Sequence, residues 1–137
     1  MKRFGTEYGG FYYPENLDGL NKDSIIYCVG AGEDISHDIE IADKLKSKVY
    51  IFDPTPRAQK HVEYIRLLLN NKVEIKNDKR YGGGDDNYLL NIIKNNIKSD
   101  QILLYDYGLF TSNLITKFYK PEIKEHVSCS VCLLYTS

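Results

Sequence analysis

Gly30, Gly32, Glu33, Asp34, Asp53 and Asp106 are the residues of this 137-residue chain whose types and spacing could do chemistry. Glycines directly after an apolar run permit φ > 0 and let the backbone approach a ligand with no Cβ in the way. Here the frame is Gly30-Ala31-Gly32-Glu33-Asp34. Asp53 lies about 20 residues further on, at the end of a second apolar run, where a carboxylate can accept hydrogen bonds from two ribose hydroxyls. Asp106 follows a third apolar run. It reads equally as a contact beside an adenine ring and as a turn-former ahead of Gly108.

These residues need elements to hold them. Residues 25–29, Ile-Ile-Tyr-Cys-Val, predict a strand covered on both faces, as in a parallel sheet. Asp34 or Ser36 is the expected N-cap of the helix that follows. Ile35, Ile39, Ala42 and Leu45 give it a buried stripe, with Asp38, Glu40, Asp43, Lys44 and Lys46 largely off that stripe. Residues 49–52 predict the second strand, and Pro54-Thr55-Pro56 prevents it from running on. Strand, glycine turn, helix, strand and terminal acid make a βαβ unit of nucleotide-binding form. The bland alternative is a βαβ unit whose Gly-Ala-Gly is only a tight turn.

The dinucleotide fingerprint would place a third glycine where Ile35 stands. Glu33 and Asp34 sit where a pyrophosphate would meet the helix, so the charge pattern repels a phosphate and tolerates a cation. The sulfonium and amino group of S-adenosylmethionine fit that pattern better than NAD does.

Elsewhere, residues 1–23 read as an irregular lead-in with a short extended piece, its aromatics packed outside the sheet in preference to covering a ligand. A second helix is expected over 57–70, on Ala58, Val62, Ile65, Leu68 and Leu69. Arg80-Tyr81-Gly82-Gly83-Gly84-Asp85-Asp86 reads as a surface loop, with Asp85 or Asp86 capping a third helix over 86–98. Residues 101–105 form the third strand, and the alternation over 114–119, ended by Pro121, predicts a β-hairpin near residues 102–119. The fold class is therefore α/β, a Rossmann-like parallel sheet with flanking helices, in one domain.

A net charge of −1 gives no reason to propose nucleic acid or an anionic membrane as partner. No apolar run approaches the roughly 20 residues of a membrane span, and no signal-peptide core opens the chain, so a cytoplasmic location is expected. Three cysteines make no disulfide framework, and Cys129-Ser130-Val131-Cys132 has no second pair to complete a tetrahedral site, so no metal is expected. His37 is expected to decorate the helix surface, His61 sits on a helix without a companion, and His126 reads as a loop histidine.

With these residues in view, the chain resembles the FkbM-type methyltransferases, a branch of the class I S-adenosylmethionine-dependent family. The resemblance rests on Tyr8-Gly9-Gly10, on Val29-Gly30-Ala31-Gly32-Glu33-Asp34-Ile35-Ser36 with Asp38, and on Val49-Tyr50-Ile51-Phe52-Asp53-Pro54-Thr55-Pro56-Arg57-Ala58. Lys117-Phe118-Tyr119-Lys120-Pro121 followed by His126-Val127-Ser128 extends it, with an apparent insertion over 77–96. The resemblance implies a Rossmann-like sheet, S-adenosylmethionine as cofactor, and methyl transfer to an oxygen of a sugar or other small-molecule acceptor. Gly30, Ala31, Gly32, Asp34, Asp53 and Asp106 are the implied cofactor positions, and no catalytic base is identified. Tyr27 and Cys28 stand where class I methyltransferases often carry an acid.

The family's sheet runs on through further strands. The chain is accordingly expected to be a partial domain, incomplete at its C-terminus and inactive alone, with a bare strand edge prone to self-association. Residues 1–24 are its lead-in, 25–131 its cofactor-binding half and 132–137 a non-native tail. The alternative is a non-catalytic nucleotide-binding or interaction module.

Overall fold

The structure, a computed structural model, describes residues 1–75, 87–120, 122 and 129. The glycine run over 80–86 with its expected caps Asp85 and Asp86, Pro121, His126-Val127-Ser128, Cys132 and the tail 132–137 lie outside the described residues.

Two sheets form. A small antiparallel hairpin pairs β1 (Lys2–Phe4) with β2 (Phe11–Tyr13) in the register Lys2 to Tyr13, Arg3 to Tyr12 and Phe4 to Phe11. The second sheet is parallel and has the order β3 (Ile26–Val29), β4 (Val49–Phe52), β5 (Ile102–Tyr105). Helix α1 (Ser36–Leu45) connects β3 to β4. Helices α2 (Pro56–Leu69) and α3 (Tyr88–Ile93) lie between β4 and β5. Pro56 occupies the first turn of α2, where its missing N–H has no intrahelical partner to lose.

The core follows from the direction of these crossovers. Both step the same way across the sheet, and right-handed crossovers in one direction place their helices on one face. Val49, Ile51 and Ile102 are buried against Ile35, Ile39 and Ala42 of α1 and Ala58, Val62 and Ile65 of α2. The opposite face carries Tyr27, Tyr50, Phe52 and Tyr105 as a run of touching rings, with Phe52 and Tyr105 stacked at 5.2 Å. No described element covers it, and Tyr27 is 66% exposed. The expectation of a strand covered on both faces is therefore corrected for β3. Its apolar run reflects one core face and one aromatic face.

Helix α3 is also shorter than the predicted 86–98. The Asn95 side chain donates to the carbonyls of Asn91 (2.8 Å) and Ile92 (3.3 Å), closing the helix at Ile93 before Ile97 buries itself in extended backbone. The hairpin expected near 102–119 does not form: β5 pairs in parallel with β4, and residues 106–118 carry no strand. The hairpin that exists lies in the lead-in. It packs on α1 through a second core of Phe4, Leu17, Ile41 and Leu45.

Tyr88 joins α3 to the rest. It is buried, its hydroxyl accepts the Ile35 N–H at 3.0 Å, and it meets Nε2 of the buried His61 at 2.8 Å. His61 thus has a companion, contrary to the sequence reading. Burial raises the Tyr88 pKa well above its ordinary value, so the phenol stays protonated. Tyr88→Phe is expected to lower the unfolding free energy by about 2 kcal/mol, because the Ile35 amide is left buried without its acceptor. Urea unfolding measures this directly, and a loss near zero contradicts it.

Candidate functional site

Gly30 takes φ +84° and Gly32 φ +54°, so the backbone between β3 and α1 turns through the left-handed region. Gly30 N–H still donates to Phe52 O at 2.9 Å, which fixes the turn to the end of β4. A Cβ built on Gly30 meets nothing within 4 Å. The turn opens into a cleft of about 660 Å³ at the C-terminal ends of the parallel strands. Gly30, Ala31, Gly32, Asp34 and Asp53 all line it, so five of the six predicted cofactor positions are brought together. Asp106 is not among the lining residues. It is exposed, and Gly108 and Leu109 reach the cleft in its place.

Asp53 faces the glycines, as the spacing predicts, but its oxygens are already engaged. Oδ2 accepts the N–H of Ala31 at 2.9 Å and of Gly32 at 3.0 Å. Oδ1 accepts the Thr55 N–H at 2.9 Å and the Thr55 hydroxyl at 2.7 Å. A carboxylate has about four lone-pair positions, so this buried side chain is saturated and acts as the clasp that shapes the turn.

Asp34 is likewise tied up. Its Oδ1 accepts the Ser36 N–H at 2.9 Å and the Ser36 hydroxyl at 2.6 Å, and its Oδ2 accepts the Thr6 hydroxyl. Ser36 Oγ in turn accepts the Thr6 N–H at 2.8 Å. Asp34 therefore secures the entry to α1, although the cap position itself falls on Ile35 without a side-chain bond. The same network pins the β1–β2 hairpin beside the turn. Gly9 and Gly10 make this fit possible, since a Cβ would come to 2.6 Å from Asp34 Cγ at Gly9 and 2.5 Å from two backbone oxygens at Gly10. The lead-in aromatics Tyr8, Phe11 and Tyr13 thus form a wall of the cleft, not packing on the outside of the sheet.

The charges are arranged differently from the sequence pattern. Glu33 is bound by Arg57 through two contacts, Nε to Oε1 at 3.0 Å and Nη2 to Oε2 at 2.6 Å. Its charge is matched by a cation and contributes little to selecting a cationic ligand. Asp38, expected largely off the buried stripe, is only 7% exposed. It stands one helical turn before Ala42, on the flank of α1 that meets β3, with the Cys28 sulfur within 4.8 Å of a carboxylate oxygen.

Burial pushes the Asp38 carboxyl above the usual carboxylate range, against the opposing pull of the nearby Cys28 thiol and His37. Burial and the neighbouring Asp38 also push the Cys28 thiol far up. Burial lowers the His37 pKa, with Asp38 opposing it. His37 is no surface decoration: its ring stacks on Tyr13 at 5.5 Å, Phe11 meets it edge-on at 5.1 Å, and Nε2 lies 3.0 Å from the Tyr13 hydroxyl. The sequence reading missed Cys28 and Asp38. The only available sign was an acid three positions after a core isoleucine, on a helix with other acids that do face solvent.

No helix among the described residues is long and apolar enough to cross a membrane. No protein-family model, curated protein or solved structure matches the chain.

Proposed function

We propose that this chain binds S-adenosylmethionine over the Gly30 turn and is the cofactor-holding part of a methyltransferase that acts on a hydroxyl of a sugar or another small molecule. The observation that carries the proposal is the open space above Gly30: a left-handed glycine with nothing within 4 Å of its Cβ position, at the mouth of the cleft. Three further features support it. The small parallel sheet ordered β3, β4, β5 is compatible with one half of a Rossmann-like sheet, whose ligands bind beyond the carboxyl ends of the strands. The cleft volume lies within the usual range of roughly 300–1,000 Å³ for small-molecule sites. Asp34 lines it with a carboxyl group, which suits a cationic sulfonium and amino group.

The bound cofactor supplies a methyl carbon already activated by its sulfonium. The chain's part is to orient that group and keep water out. Asp53 takes a modified role in this reading. It shapes the turn through Ala31 and Gly32, and a ribose hydroxyl gains a hold on it by replacing one of those amide bonds. Asp106 makes no adenine contact in this reading. Tyr8 and Phe11 stand where they can cover the ligand.

A second reading, a module that docks another macromolecule, is favoured by one observation: the half-buried rings of Tyr50 and Tyr105, which stack on the helix-free face of the sheet and do not line the cleft. Calorimetric titration of the full chain with S-adenosylmethionine and, separately, with NAD distinguishes the two. The proposal expects micromolar binding of S-adenosylmethionine and at least about tenfold weaker binding of NAD, a gap of roughly 1.4 kcal/mol. Preference for NAD overturns it, and binding of neither leaves the docking module.

A further inference from the structure

A second cluster lies in the cleft wall, on the α1 side of the glycine turn. Cys28 comes from β3, while His37 and Asp38 are consecutive in the first turn of α1. Neighbours on a helix leave its axis about 100° apart, so two of them reach a common point only through their side-chain rotamers, and here that point lies beside a residue of β3. That residue is Cys28. Its Sγ, a His37 ring nitrogen and an Asp38 carboxylate oxygen all lie within 4.8 Å of one another, and all three residues line the cleft.

We propose that Cys28, His37 and Asp38 form a binding site for a zinc-class divalent cation, with its fourth position open to the cleft. The proposal goes beyond the cofactor reading and does not depend on what binds above Gly30.

The donor set points to the kind of ion. One thiolate, one imidazole and one carboxylate suit zinc and its close relatives, whereas magnesium and calcium take oxygen ligands throughout. With bonds of about 2.0–2.3 Å, the ligand atoms of a tetrahedral zinc stand roughly 3.5 Å apart. With every separation within 4.8 Å, the cluster needs to contract by at most about 1.3 Å. Three protein ligands and one open position are the arrangement of zinc sites that act on bound molecules.

The surroundings are those of a held site. Asp38 is buried, and no lysine or arginine pairs with it among the described residues. Tyr13 holds the His37 ring by stacking on it at 5.5 Å and by its hydroxyl, 3.0 Å from Nε2, which leaves Nδ1 as the nitrogen for the ion. Binding exchanges the Cys28 S–H bond for a metal–sulfur bond, and the proton leaves to solvent.

The test uses the full chain with Cys129→Ser and Cys132→Ser, so that Cys28 is the one thiol left of three. Zinc chloride is titrated by calorimetry, and cobalt chloride by absorbance. Expected are one equivalent of zinc, a near-ultraviolet cobalt–thiolate band, and the visible bands of a tetrahedral ion. His37→Gln, at a half-buried position, should weaken zinc binding at least about tenfold while circular dichroism shows the chain still folded. Absence of the cobalt–thiolate band, or zinc affinity unchanged by His37→Gln, overturns the proposal. Cys28→Ser should abolish the band. Should that variant fail to fold, the band in the parent chain and the His37→Gln affinity still decide the question.

Discussion

Asp53→Ala is expected to lower the unfolding free energy by about 3 kcal/mol and the melting temperature by roughly 10 °C. The substitution removes four hydrogen bonds at once, from Ala31 N–H, Gly32 N–H, Thr55 N–H and the Thr55 hydroxyl. Bonds to an ionised acceptor contribute about 1.5–3 kcal/mol each, but water entering from the cleft replaces part of that sum. The Ala31 amide loses most, since it sits at a buried position. Asp53→Asn should fall between the two: one amide oxygen still serves one pair of donors, while the NH₂ faces the other pair. Thermal unfolding followed by circular dichroism measures both variants. A loss below about 1 kcal/mol for Asp53→Ala would mean that the turn holds its shape without the clasp.

The second large effect is on binding. Gly30→Val is expected to weaken S-adenosylmethionine binding by about 100-fold or more, roughly 3 kcal/mol, while lowering stability by only about 1–2 kcal/mol. The stability loss is conformational: φ +84° is a poor setting for a β-branched residue, yet its Cβ meets no neighbour within 4 Å. The binding loss is steric, since the added isopropyl group occupies the space above the turn. Gly19 provides the control. It has the same φ of +84° and the same open surroundings, but it does not line the cleft. Gly19→Val should therefore reproduce the stability loss and leave binding intact. Equal binding losses in the two variants would trace the effect to backbone strain, not to the ligand.

The parts of this fold legible in the sequence are those where one strong pattern acts alone. The apolar run ending at Val29, the glycines after it, the stripe of α1 and the proline behind Asp53 each specify one element. Their spacing places Asp53 against Ala31 and Gly32 as observed. What the pattern did not carry is which partners compete for a group already in place. That Asp53 spends its lone pairs on the turn, and Glu33 its charge on Arg57, depends on side-chain distances invisible to spacing.

The β1–β2 hairpin escaped because three-residue strands are too short for alternation to be read. Its position is fixed by contacts far along the chain, from Thr6 to Ser36 and from Gly5 N–H to Glu40 Oε2 at 2.9 Å. The opposite error arose at residues 114–119, where Leu-Ile-Thr-Lys-Phe-Tyr runs in apolar pairs without strict alternation and has no partner strand among the described residues, and Leu114, Ile115 and Phe118 stay exposed. Asp38 shows a third kind of miss. Two sheets pack on α1, so its buried surface is wider than a single stripe and takes in a residue that charge alone would assign to solvent.

The central claim is that the cleft above Gly30 receives the cofactor. It is tested most directly by following the backbone amide resonances of the full chain as S-adenosylmethionine is added. The account predicts the largest shifts at Gly30, Ala31, Gly32, Glu33 and Asp34, with Thr55 following as Asp53 adjusts its bonds. Shifts confined to Tyr50 and Tyr105, which lie on the aromatic face and do not line the cleft, or no shifts at saturating ligand, would contradict it.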